Sequence, residues 1–190
     1  MTRTVFYTAT TLDGCIADPD DSLDWLLRQP QEEGGAGDYA EFIGGVGALV
    51  MGSTTYAWVL AHEQGVWPYT LPAFVLTHRE LPLPASAASG EPADVRFRSG
   101  AVVDMLAELR GAAGAKDLWI VGGGDLAGQF ADIGALDETV VSIAPVVLGA
   151  GRPLLPRRLD LELLEVGRNG SFVVARHRVI GALAEDRENG

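Results

Sequence analysis

Three consecutive glycines at the end of an apolar run constrain the fold of this chain more than any other feature. Residues 117–121 are strand-like, Gly122–Gly124 follow directly, and an apolar helical stripe runs from Leu126 to Ile133. The segment is therefore predicted to form a buried strand, a tight turn and a helix. Glycine lets a ligand approach such a turn closely, and the free N–H groups at a helix start attract phosphates. A turn without a ligand has the same pattern, so both interpretations stay open here.

Composition and charge limit the class of protein. The chain has 190 residues, of which 47% are hydrophobic and 21% are charged, which is typical of one soluble globular domain. No apolar stretch reaches the ~18 residues that span a bilayer. A net charge of -12 argues against binding to a nucleic-acid backbone, which requires a basic surface. We expect a cytoplasmic protein that acts on a small molecule and has no nucleic-acid or membrane partner.

Cysteine and histidine usage argues against metal chemistry. Cys15 is the only cysteine, so it forms no intrachain disulfide, and it is expected to be a small packed residue. The three histidines are isolated from one another and lack the spacing of metal ligands. No metal site is therefore predicted.

The hydrophobic periodicity predicts one α/β domain over residues 1–184 and a flexible tail over residues 185–190. Strand-like runs alternate with helical patterns, which favours a mostly parallel central sheet flanked by helices. These runs are residues 5–9, 48–51, 73–77 and 117–121. A further run, 138–148, contains Pro145, which favours an edge strand or a bulge. Asn169-Gly170 lies between two later runs and predicts a C-terminal antiparallel hairpin.

Two other strand ends carry side chains suited to binding phosphate. The residues concerned are Gly52, Ser53, Thr54 and Thr55 at one strand end and Thr77, His78 and Arg79 at the other. The hydroxyl groups either cap a helix or face a ligand, and Arg79 either holds the 2′-phosphate of NADP or is solvated. The carboxyl ends of parallel strands meet at one edge, where open α/β sheets bind ligands. We therefore expect these residues to share a cleft with the three glycines.

Candidate catalytic residues lie in the loop after the first strand and in the short helix that follows it. Asp13 and Asp24 are possible acids beside the cleft. Asp13 precedes a glycine and is also suited to a turn, while Asp24 is also suited to a helix N-terminus. Trp25 is either a core residue or the apolar floor for a flat substrate ring.

Four segments in this order resemble the dihydrofolate reductase-like superfamily. The matching stretches are residues 5–17, 50–56, 120–126 and 136–151. Among its branches the chain is most similar to the C-terminal reductase domain of bacterial riboflavin biosynthesis proteins, the RibD C-terminal domain. The resemblance implies a dihydrofolate reductase-like three-layer α/β fold, and a homodimer is plausible for this branch.

The resemblance also implies NADPH as the hydride donor. By the family pattern, the strand ends at residues 52–55 and 77–79 hold the adenosine phosphates. Ala9 and Ile16 lie beside the nicotinamide ring. The pyrophosphate is held by Gly122, Gly123, Gly124, Asp125 and Leu126, which also flank the nicotinamide. The family often has a cis peptide bond between the first two of these glycines.

These features suggest a reductase of a flat nitrogen-rich or carbonyl ring, and the best named reaction is reduction of 5-amino-6-(5-phosphoribosylamino)uracil. Reduction of dihydrofolate is less expected, because no acid follows Trp25 before Glu32. A phosphorylated substrate calls for basic residues, for which Arg152, Arg157 and Arg158 are candidates unless they are merely solvated. The alternative is an NADP-binding sensor or assembly module without turnover.

Overall fold

The computed structural model describes residues 2–187, so residues 188–190 of the expected tail lie outside the described range. The helices are α1 (Asp24–Leu27), α2 (Tyr39–Gly44), α3 (Ser53–His62), α4 (Val102–Ala113), α5 (Gly124–Asp132) and α6 (Ala184–Arg187). The strands are β1 (Thr4–Thr11), β2 (Cys15–Ala17), β3 (Val46–Gly52), β4 (Val66–Trp67), β5 (Ala73–Leu76), β6 (Ala85–Ser86), β7 (Val95–Arg98), β8 (Asp117–Gly122), β9 (Glu138–Ala144), β10 (Arg152–Pro153), β11 (Leu159–Asn169) and β12 (Phe172–Ala182). The division into a domain and a tail stays a prediction.

Eight strands form one sheet in the order β11-β12-β9-β1-β8-β3-β5-β7. All pairs from β9 to β7 are parallel, whereas β12 pairs with β9 and with β11 in the antiparallel sense. The expected mostly parallel sheet with a C-terminal hairpin is therefore confirmed.

Helices cover both faces of the sheet and make three layers. On one face, Leu109 of α4 and Phe130 of α5 pack in a buried cluster with Ile120 of β8. On the other face, Tyr56 of α3 packs in a second cluster with Met51 of β3. Because β3 and β8 are covered on both sides, they read as continuous apolar runs and not as alternating ones.

The expectation of an edge strand around Pro145 was wrong. Strand β9 ends at Ala144 and lies inside the sheet, between β1 and β12. Proline has no N–H to donate to a ladder, so Pro145 stands where pairing stops. The N–H of Leu12 instead donates to the carbonyl oxygen of Val146 at 2.8 Å, which joins the loops that follow β1 and β9.

The parallel direction of β1, β3, β5 and β8 brings their carboxyl ends to one edge of the sheet. A small second sheet, formed by β2 and β10, adjoins this edge. Gly151 fits tightly there, because an added Cβ would lie 3.1 Å from the Cβ of Cys15. The segment around β10 is thereby fixed next to the glycine turn.

Candidate functional site

A cleft of about 680 Å³ opens at the carboxyl edge of the sheet, and it gathers most of the residues that the sequence singles out. The predicted residues that line it are Ile16, Gly52, Ser53, Thr54, Thr55, Thr77, His78, Gly122, Gly123, Gly124, Asp125 and Leu126. They come from four separate parts of the chain. The parallel strand order brings them together, since β3 lies between β8 and β5.

The glycine turn is shaped for close approach on both of its sides. The peptide bond between Gly122 and Gly123 is cis. A Cβ on Gly124 would lie 2.8 Å from the carbonyl carbon of Leu154 and would clash with the carbonyl oxygens of Pro153 and Leu154. A Cβ on Gly123 would meet only Ile16, at 3.9 Å. Gly124 therefore admits the β10 segment, whereas Gly123 leaves open space towards the cleft.

Two helices begin at the cleft without a side-chain cap. The N-cap of α3 is Gly52 and the N-cap of α5 is Gly123, and neither makes a side-chain capping hydrogen bond. The first N–H groups of a helix have no partner within the helix and carry a partial positive charge. Both helix starts are therefore suited to receive anionic oxygens.

Five predicted site residues do not line the cleft, namely Ala9, Asp13, Asp24, Trp25 and Arg79. Trp25 is buried in a core cluster with Phe172, and Ala9 packs against the same cluster. Asp24 is exposed at the start of α1, and Arg79 is exposed two residues beyond the cleft residue Thr77.

Asp13 is engaged in a turn that joins two loops. The Thr11 hydroxyl donates to its carboxylate at 2.5 Å, and the N–H of Gly149 donates at 2.7 Å. The N–H of Leu148 donates to it as well, at 3.2 Å. These hydrogen bonds, that of Thr11 first, lower the pKa of Asp13 below its usual value.

Sequence reasoning missed Trp58, a half-buried aromatic residue that lines the cleft. Its ring stacks on that of His62 with the centroids 4.8 Å apart. Trp58 lies four residues after Thr54 on α3, so both residues share one helix face. This spacing from a predicted cleft residue is the pattern that would have identified it.

The charged side chains of the cleft are paired. Arg152 donates to Asp21 through Nε at 2.6 Å and through Nη2 at 3.1 Å. Arg98 donates to Glu108 through Nη2 at 2.5 Å and through Nε at 3.0 Å. The hydrogen bond from Arg152 lowers the pKa of Asp21, and that from Arg98 lowers the pKa of Glu108. The carboxylates are therefore held in the ionised form.

Over residues 2–187, no group of three or more His, Cys, Asp or Glu side chains is arranged to hold a metal ion. In the same range no helix is both long enough and apolar enough to cross a membrane.

Comparison with known proteins shows the family. The model of the RibD C-terminal domain matches residues 3–174, and the chain belongs to this family. The uncharacterized Bacillus subtilis protein YwjB is 35% identical over 155 residues, which cover 80% of this chain and 82% of YwjB.

Two solved structures share the fold of this chain. A candidate riboflavin biosynthesis protein from Shewanella sp. PV-4 superposes with a TM-score of 0.76 at 30% identity, covering 94% of this chain and 99% of that protein. Dihydrofolate reductase from Enterococcus faecalis, solved with NADP(H), superposes with a TM-score of 0.56 at 14% identity, covering 94% of this chain and 96% of the enzyme. The fold is therefore dihydrofolate reductase-like, as the sequence predicts.

Proposed function

We propose that this protein is an NADPH-dependent reductase of a small, flat heterocyclic substrate. The observation that carries the proposal is the cleft, where two uncapped helix starts and the glycine turn meet at the carboxyl edge of a parallel sheet. The E. faecalis enzyme that shares this fold was solved with NADP(H). Membership in the RibD C-terminal domain family supports an oxidoreductase.

The residues of the cleft fit an elongated dinucleotide. In the proposed complex, Ser53–Thr55 and the start of α3 bind phosphate oxygens, and Gly122–Leu126 with the start of α5 bind the pyrophosphate. Arg79 holds the 2′-phosphate, beside Thr77 and His78. NADPH, when bound, supplies a hydride to an electrophilic carbon of the substrate.

The nicotinamide ring is proposed to lie beside Ile16 of β2, with the substrate ring against it. The same role expected for Ala9 stays a prediction, and Ala9 does not line the cleft. Trp58 offers an aromatic wall that a flat ring can contact. The role of substrate floor expected for Trp25 stays a prediction. Only 5% of Trp25 is exposed, which leaves it little surface for contact with a substrate.

Proton delivery to the reduced ring is proposed to pass through water. Neither Asp24 nor Asp13 lines the cleft. The catalytic roles expected for them stay predictions. Proton transfer from a carboxyl group needs contact within hydrogen-bond reach or one intervening water. Asp21 and Asp125 do line the cleft, but each accepts hydrogen bonds from an arginine.

Within this class, reduction of 5-amino-6-(5-phosphoribosylamino)uracil is the best named reaction, on the basis of the family. The second candidate is an NADP-binding sensor without turnover, and the pairing of both cleft aspartates with arginines favours it. NADPH oxidation across a panel of pyrimidines and pterins separates the two, because a sensor binds the cofactor but leaves it unoxidised.

We also propose that the protein is a cytoplasmic homodimer. Strand β11 is one of the two outer strands of the sheet and exposes Leu161, Leu163 and Val166. Long apolar edge strands are usually covered in native proteins. Light scattering during size-exclusion chromatography tests this, and a mass near the chain's 20.1 kDa would contradict the dimer.

The deciding experiment is calorimetric titration of the purified protein with NADPH and with NADH. We expect micromolar binding of NADPH and at least tenfold weaker binding of NADH, since a charged hydrogen bond contributes about 1.5–3 kcal/mol. Arg79→Ala should remove this preference, whereas Arg28→Ala, at an exposed position on the far end of α1, should keep it. Undetectable binding of both nucleotides would contradict the proposal.

A further inference from the structure

The positive charges around the cleft are distributed unevenly. Both arginines that line it in the described part of the chain, Arg98 and Arg152, are bound to carboxylates. Arg152 contacts Asp21 with two nitrogens and also donates to the carbonyl oxygen of Pro19 at 3.4 Å. Its Nε and Nη2 donors are thus occupied by the protein itself.

The arginines next to the cleft are occupied in the same way. Arg157 binds Asp132 at 2.9 Å and Asp125 at 3.2 Å, lying across α5 in the notch left by Gly128. Arg158 binds Asp186 at 2.9 Å. Together with Arg152, these are the arginines that a phosphorylated substrate would be expected to use, and each has a carboxylate partner.

In the part of the chain that the structure describes, the positive charge next to the end of the cleft proposed for the cofactor, beside Thr77, is not paired with a carboxylate. Within residues 2–187, neither His78 nor Arg79 forms an ion pair, and Arg79 donates its backbone N–H to the Thr77 hydroxyl. An unpaired positive charge therefore lies where a nucleotide phosphate is proposed to bind. The opposite end, beside β2 and β10, is neutral or negative.

Asp21 is held in place by its own turn. Its φ of 63° is in the left-handed region, which aspartate and asparagine tolerate better than most residues. Its N–H donates to the Asp18 carbonyl oxygen at 3.1 Å, and the Asp18 carboxylate accepts from the N–H of Ser22 at 2.8 Å. The backbone that carries the Asp21 carboxylate is thus held beside Arg152.

We propose that the substrate end of this cleft takes an uncharged ring and selects against phosphorylated analogues, because Asp21 neutralises Arg152. The proposal rests on the proposed reductase function and narrows its substrate class. It departs from the phosphorylated uracil derivative that the family suggests.

The physical reason is the charge that Asp21 leaves in the cleft. The ion pair is exposed, with Arg152 at 56% and Asp21 at 39%, and such pairs are weak. A phosphate can therefore separate them, but it then lies within a few ångströms of the freed Asp21 carboxylate. Like charges at this distance repel, and this opposes phosphate binding. A neutral ring meets no such repulsion.

The test titrates ribose 5-phosphate, with ribose as the uncharged comparison, into protein with and without saturating NADP⁺. We expect no Arg152-dependent binding of ribose 5-phosphate by the wild type. Asp21→Asn keeps the left-handed turn and removes the charge, so affinity for ribose 5-phosphate should rise at least about tenfold. Glu162→Gln, which frees Arg178 on the outer β11–β12 hairpin instead, is the matched control and should leave the affinity unchanged.

Binding of ribose 5-phosphate to the wild type that is lost in Arg152→Ala would overturn the proposal. An unchanged affinity in Asp21→Asn would overturn it too, because the neutralising carboxylate would then not be the cause. The outcome is read from the Arg152-dependent component and needs no bound cofactor. Failure of NADP⁺ to bind would instead count against the reductase function.

Discussion

Gly124 allows the sharpest test of the site architecture, through the variant Gly124→Ala. Gly124 is the first residue of α5 and is buried against the β10 segment. A Cβ there would lie 2.8 Å from the carbonyl carbon of Leu154, whereas ordinary contacts begin at 3.4 Å. The obstructing atoms belong to the backbone, so no side-chain rotation relieves the overlap. Either α5 or the segment that follows β10 must shift.

The expected cost follows from these contacts. Overpacking a well-packed site costs about 1–3 kcal/mol, and two obstructing backbone carbonyl groups place Gly124→Ala at the upper end. Replacing glycine also removes conformational freedom from the unfolded chain, which offsets about 0.4–1 kcal/mol. The net loss is about 2 kcal/mol, which corresponds to a fall in Tm of roughly 4–8 °C for a chain of this size.

Thermal unfolding followed by circular dichroism measures this effect. Gly111→Ala is the matched control, because Gly111 lies inside α4 and a Cβ there meets nothing within 4 Å. Alanine is favoured over glycine in a helix interior by about 0.5–1 kcal/mol, so this variant should melt a few degrees higher. If Gly124→Ala instead melts at or above the wild-type temperature, the close approach of β10 to α5 is refuted.

Two further predictions concern the loops around β1. Asp13→Asn should lower the neutral-pH Tm, because the Thr11 hydroxyl and the Gly149 N–H depress the pKa of Asp13. This stabilisation is present at pH values above the ordinary aspartate pKa of about 3.9, and it is lost as the pH falls through the lower pKa of the folded state. Wild-type and variant melting temperatures should therefore converge in acid, and a constant difference would contradict this account. Tyr7→Phe removes a hydrogen bond of 2.8 Å to the carbonyl oxygen of Gly37 and should cost about 1 kcal/mol in urea unfolding. Burial raises the pKa of Tyr7 to about 12, so this cost should stay constant up to about pH 10.

Local patterns predicted the parts of the site that depend on local structure. The turn at Gly122–Gly124 and the hydroxyl groups at Ser53–Thr55 follow strands directly, so the sequence already determines that they stand at strand ends. Parallel pairing then brings them to one cleft. The four-residue strand β7 was not predicted, because Arg96 and Arg98 interrupt its apolar character. Both guanidinium groups lie over the ring of Phe74, at 5.3 and 5.8 Å from its centroid, and this contact between strands cannot be read from sequence.

The two tryptophans illustrate what local patterns leave open. Trp25 and Trp58 both lie on helices with apolar neighbours, and the sequence left Trp25 open as either a core residue or the floor for a substrate ring. The structure packs Trp25 against Ala144 and Phe172, and Trp58 lines the cleft. Which aromatic faces the ligand depends on how α1 and α3 dock on the sheet. The partners of Trp25 on α1, Ala144 and Phe172, lie more than a hundred residues away from it in the sequence.

The central position of β1 has a consequence for how the chain folds during synthesis. Its neighbours β8 and β9 begin more than a hundred residues later, at Asp117 and Glu138. At about 5–20 residues per second, a ribosome needs several seconds or longer to make that intervening chain. Throughout that interval the apolar strand β1 has neither lateral partner. The middle of the sheet is therefore completed late, and the chain is most exposed to aggregation before β9 emerges.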